Sequence, residues 1–170
     1  MKHDFTSVDR NTQAVLELAK SCSKEQLVFQ PESGWNILQI FEHVWLTDKR
    51  IIDIMSQPSE AVAGSKEIFG DEKLKDFMVT QRSRRIEAPD ALKPTGAAKD
   101  LSEFEDLFLK TRNALKEAVE SGKIRMDDKL RKHRIFGDMT QRDWIYFLIH
   151  HTERHLEQIR DRLKEYGSRG

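Results

Sequence analysis

The 170-residue sequence predicts an all-α domain, and three observations carry that prediction. Charged residues make up 34% of the chain and apolar ones 38%, a balance that suits amphipathic helices around a modest core. Glycine and proline, both poor in helix interiors, are confined to a few positions. Prolines stand only at 31, 58, 89 and 94, and glycines only at 34, 64, 70, 96, 122, 137, 167 and 170. They leave four long stretches free of both: residues 4–22, 35–55, 99–121 and 138–166. Finally, no segment sustains the period-2 alternation of a half-buried strand.

Each stretch carries its own helix signals. In 4–22, Phe5, Val8, Val15, Leu18 and Ala19 form a stripe, with Thr6 or Ser7 available as N-cap. Ser23 and Gln26 then have capping-box spacing for a short turn. In 35–55, Trp35, Leu38, Phe41, Trp45, Ile52 and Met55 recur at helical spacing, with Ser33 and Gly34 just before them. The third stretch has Phe104, Leu107, Phe108, Leu115 and Val119, and stops at Gly122, a good C′ residue. The fourth starts at Thr140, whose capping-box partner is Asp143. It runs through Ile145, Ile149, Leu156, Ile159 and Leu163 to Gly167. Residues 56–98 form a long connection holding three of the four prolines, with a short helix predicted inside 70–78. Residues 122–138 read as an irregular loop ending in a turn at Gly137. One domain over 1–170 is expected.

Composition narrows the function. The 29 basic and 29 acidic residues cancel, so no global field draws the chain to nucleic acid or anionic lipid. No window approaches the ~18 continuous apolar residues of a membrane span. Cys22, the single cysteine, excludes an internal disulfide and any cysteine ligand pair. It fits a structural thiol at a helix end and a reducing compartment. Residues 1–20 include Asp4, Asp9, Arg10 and Glu17 and hold no signal-peptide core, so a cytoplasmic location is expected.

The chemistry concentrates in histidine. His151 and His155 stand at i and i+4 of the fourth stretch, on one face of a helix, where two imidazoles can converge on one ion. His150 has Arg154 at its own i+4 position and makes no such pair. His43, on the second stretch, is a candidate third ligand if the two helices face each other, giving a His₃ set with an open position. The competing reading makes all three ordinary residues at the edge of the core. Gln158, three residues after His155, can reach the second shell or lie on the surface. His-Glu-x-x-His is absent, because Thr152, Glu153 and Arg154 fill the gap, so a metalloprotease is not expected. The basic clusters at 81–85 and 129–134 read as solvated loop surface, the second placed to line a pocket mouth. Trp35, Trp45 and Trp144 read as core.

The run SKEQLVFQPESGWNILQIFEHVWLTDKRI resembles the first half of the DinB/YfiT-like superfamily, in particular its DinB_2 branch. The segment HRIFGDMTQRDWIYFLIHHTERHLEQIR resembles its second signature, Phe-Gly-x-Met-Thr followed by a helix with His-x-x-x-His and then Gln-Ile. The segment ALKPTGAAKDLSEFEDLFLKTRNALKEAVE resembles its third helix. The resemblance covers nearly the whole chain and keeps order and spacing. It implies a four-helix bundle with a long crossover between helices 2 and 3. It also implies a divalent metal ion, zinc or nickel, held by His43, His151 and His155 with solvent completing the shell. The activities it implies are a thiol-dependent transferase using a low-molecular-weight bacterial thiol, or a metal-dependent hydrolase, on a small-molecule substrate. A homodimer is common in the family.

An open His₃ site supports both chemistries: the metal lowers the pKa of bound water to ~7, or holds a thiol as thiolate. Neutral imidazole ligands leave the ion's +2 charge in place, which favours an anionic ligand. No general base is identified. A non-catalytic module, binding metal or a small molecule, is the alternative class.

Overall fold

Capping chemistry sets where most of the helices begin. The computed structural model describes residues 5–169. Helix α1 covers Thr6–Ser21, α2 Lys24–Val28, α3 Ile37–Met55, α4 Asp71–Lys75, α5 Leu101–Glu120 and α6 Gln141–Gly167. Ser23 with Gln26 and Thr140 with Asp143 form complete capping boxes, as their spacing predicts. Two helix starts differ from expectation. The N-cap of α1 is Phe5, with no side-chain cap bond, rather than Thr6 or Ser7. Asn36, paired with Gln39, caps α3 in place of the expected start at Trp35. Asp100 caps α5 through the Glu103 N–H.

The chain is mostly helical. Helix α3 packs on α5 and α6, and α1 packs on the same two helices. Apolar side chains form two clusters. One holds Val8, Ile51, Leu115 and Ile149, and the other Val15, Trp45, Phe108 and Leu156. Each of the four long helices contributes to both, with a buried or half-buried polar residue between: Asn11 and Thr12, Asp48, Arg112, and Thr152. Arg112 joins this layer together. It donates to Asp48 Oδ2 at 2.6 Å, Asn11 Oδ1 at 3.0 Å, Thr12 Oγ1 at 3.2 Å and Thr152 Oγ1 at 3.1 Å. Along α1 and α6 the first cluster precedes the polar layer; along α3 and α5 the order is reversed.

The long connection between α3 and α5 contains the expected short helix α4, which runs directly into a π-helical turn at Asp76–Thr80. A single turn of 3₁₀ helix follows at Asp90–Leu92. Two buried carboxylates of the long helices pin this connection. Asp143 accepts the backbone N–H groups of Ile68, Phe69 and Gly70. Glu42 accepts those of Thr95, Gly96 and Ala97. Each such charge-assisted bond satisfies a loop donor that would otherwise face the helices unpaired.

Residues 122–138 are not an irregular loop throughout. Strands β1 (Arg131–His133) and β2 (Gly137–Met139) pair antiparallel, with His133 opposite Gly137. Three-residue strands are too short to show alternation in sequence, and the His133 side chain helps close the turn. Gly137 supplies a positive φ of 75° there. Among the described residues no helix is long and apolar enough to cross a membrane.

Candidate functional site

The helix contact between α3 and α6 brings His43, His151 and His155 together. One ring nitrogen of each lies within 4.8 Å of the other two. His151 Nε2 is 3.2 Å from His43 Nε2 and 3.2 Å from His155 Nε2. His43 is 4% and His151 7% exposed, deeper than an edge position on α6 suggests, while His155 is half-buried.

Outer partners decide which nitrogens carry protons. His43 Nδ1 is 2.7 Å from the Leu92 carbonyl, which can only accept, so Nδ1 donates and Nε2 offers a lone pair inward. His155 Nδ1 donates likewise to Gln158 Oε1 at 2.8 Å. Gln158 therefore holds the His155 ring rather than lying free on the surface. His151 Nδ1 is buried and has no partner. A proton on His151 Nε2 could bridge to one neighbouring lone pair, leaving the other contact repulsive. A cation at the centre relieves both contacts, so the donor set fits a metal ion.

The electrostatics agree with that fit. Burial, opposed by the Leu92 bond, lowers the pKa of His43. Burial and then the neighbouring His155 and His43 take His151 well below the ordinary histidine value. Burial and His43 bring His155 down to about 3. All three are neutral at physiological pH, the state in which imidazole binds metal.

The triad opens on a cleft of about 1690 Å³. Trp35 lines it with its ring 4.9 Å from that of His43, so this tryptophan is more than core. Gly34 sets Trp35 in place: its φ is 84°, and a Cβ there would lie 2.9 Å from Arg162 Nη2. Arg162, on α6, donates to the carbonyls of Ser33 and Trp35. Arg154 donates to the carbonyls of Met78 and Arg84, tying the π-helical turn and the following loop to α6. Lys132 and Arg134 line the cleft, as does Arg82, so both basic clusters contribute to it rather than only to solvated surface. Trp144 also lines it, although its side chain is 1% exposed.

His150 takes no part in the triad. It bonds Asp71 at 2.6 Å and Glu153 at 2.7 Å, a cross-link between α4 and α6. Cys22 is buried at the end of α1, its thiol pKa raised by that burial, which fits a structural thiol. Four contributors to the site escaped the sequence reading. The Leu92 carbonyl and the Glu42 anchor depend on a distant loop, and Trp35 was read only as apolar. His133 lay hidden in a basic cluster.

Fold and cleft together define a helical protein with three histidines, two buried and one half-buried, converging from two helices. Residues 7–159 match the family model of the DinB superfamily, and the chain belongs to that superfamily. It is 27% identical over 149 residues to the uncharacterized protein YuaE of Bacillus subtilis, covering 84% of this chain and 86% of that one. No solved structure gave a significant match.

Proposed function

We propose that the protein is a metal-dependent enzyme whose divalent ion, zinc or nickel, is held by His43, His151 and His155. The observation that carries this reading is the pair of 3.2 Å Nε2 contacts, with the Nδ1 atoms of His43 and His155 each donating outward. Bound there, the ion would supply Lewis acidity, which favours the ionised form of a water or thiol ligand. The chain's residues supply the rest. Leu92 and Gln158 hold the two outer imidazoles in one tautomer, and Trp35 and Phe147 wall the triad.

The reaction proposed is transfer to or from a small thiol, or hydrolysis of a small molecule; a non-catalytic metal-binding module is the alternative. The family and the reversed order of the two apolar clusters along α3 and α5 support a single domain. It is a four-helix bundle in which residues 56–100 cross over between two parallel helices.

Elemental analysis of untagged protein tests the metal reading. One zinc or nickel per chain is expected in the wild type, with loss in His43→Ala and His151→Ala. A metal-replete wild type that carries none contradicts it. Turnover of thiol-transfer or ester substrates by the loaded protein, absent in those variants, separates enzyme from module.

A further inference from the structure

His133 stands outside the triad yet lines the same cleft. It ends β1, half-buried, with ring centroids of Phe147, Phe136 and Trp144 at 4.6, 5.0 and 5.2 Å. Its Nδ1 accepts the backbone N–H of Ile135 at 3.0 Å and of Phe136 at 3.2 Å. A ring nitrogen accepting two N–H groups carries no proton, so a neutral ring must carry its proton on Nε2. The ring is neutral: burial and then the charge of Arg134 lower its pKa to about 4. The Nε2–H has no protein partner among the described residues and is not sealed from solvent. It is a fixed donor on a residue that lines the cleft.

Two further features say what it faces. Phe147 packs against His133 at 4.6 Å and against His151 at 5.6 Å, so donor and triad share one aromatic wall. The cleft lining is basic, with Arg50, Arg85, Lys132 and Arg134 among its residues and, among the described residues, Asp53 and Glu87 its only acids. A polar donor in basic surroundings suits an anionic acceptor.

We propose that His133 is a specificity-determining hydrogen-bond donor for the carboxylate or phosphate group of a small anionic ligand held in the cleft beside the three histidines. This rests on the cleft being the ligand site, but it does not require the ion to be present.

The test uses inorganic phosphate and succinate as separate probes, titrated into the whole protein with and without zinc. Wild-type protein binds at least one of them, and the His133 Nε2 resonance shifts as it does. His133→Asn keeps an acceptor near the Nδ1 position and leaves no donor at the Nε2 position, its amide N–H groups lying near the ring's Cδ2 instead. It lowers anion affinity about 10–100-fold, the range for a hydrogen bond to a charged group, while zinc affinity stays at the wild-type value. His133→Gln, which carries an N–H near the Nε2 position, recovers part of the loss. Long-range nitrogen spectra of the wild type place the proton on Nε2. The proposal is overturned if neither anion binds the wild type, if His133→Asn binds as tightly as wild type, or if the proton resides on Nδ1. Zinc failure with an intact anion response overturns the metal reading alone, and the reverse result overturns this proposal alone.

Discussion

Helix α3 buries two polar side chains whose surroundings differ sharply. Asp48, at 0% exposure, meets the Arg112 guanidinium, which also bonds Asn11, Thr12 and Thr152. His43, five positions earlier, meets two more imidazoles that offer it no opposite charge. The first region is closed: its guanidinium is shared among all four long helices between two apolar clusters. The second is open, turned to a basic cleft, with lone pairs facing each other. A buried polar group costs free energy unless it is paired. In the open centre the ring nitrogens face one another unpaired, while the outer nitrogens of His43 and His155 are held by Leu92 and Gln158.

Breaking the closed region produces the largest expected effect. Arg112→Met leaves Asp48 buried without its partner, and chemical denaturation should show a loss of about 3–5 kcal/mol. Burial already pushes the Asp48 carboxyl upward against the pull of Arg112, so removing the cation leaves only the penalty. Replacing both, Asp48→Leu with Arg112→Met, should recover most of that loss, since apolar substitutes for buried pairs are often neutral. A double variant as unstable as the single one would mean that the layer does more than neutralise charge.

The same measurement on the open region should give the opposite result. His151→Leu removes a desolvated imidazole whose Nδ1 has no partner, so the metal-free protein should keep its stability within about 1 kcal/mol. Zinc at a hundred times its dissociation constant should stabilise the wild type by about 2.7 kcal/mol and leave His151→Leu unchanged. Equal zinc shifts in both proteins would place the ion elsewhere.

Smaller effects sharpen the contrast. Gln158→Ala releases the Nδ1–H of His155, and zinc titration should show about 10–100-fold weaker binding with the fold intact. The last contrast is in pH dependence. Folding depresses the histidine pKa values, so between the ordinary value of 6.5 and about 3 the unfolded chain binds more protons than the folded one. Stability of the metal-free protein should therefore fall as pH drops below 6.5, and His155→Leu should flatten that fall. Urea titrations of both proteins at several pH values check this.

How much of this the sequence disclosed also differs between the two regions. The triad was legible because two of its histidines obey helical periodicity and the third lies in another Gly- and Pro-bounded helix. The Asp48–Arg112 layer was not, because its members are single charged or polar residues on four helices, with no spacing to connect them. Asn11 and Thr152 look like ordinary helix-surface residues until the helices are packed. The partners of the triad were half legible: Gln158 lies one turn from His155, whereas Leu92 reaches His43 only through a connection folded back by Glu42. The hairpin that carries His133 escaped because its strands are three residues each and a side chain helps close its turn.

Calorimetric titration of metal-free wild type and His151→Ala with zinc tests the central claim most directly. Binding of one ion per chain, abolished in the variant while the fold survives, is the result predicted for an open centre built to receive a cation. A wild type that takes up no zinc or nickel, or a variant that binds as the wild type does, would contradict it.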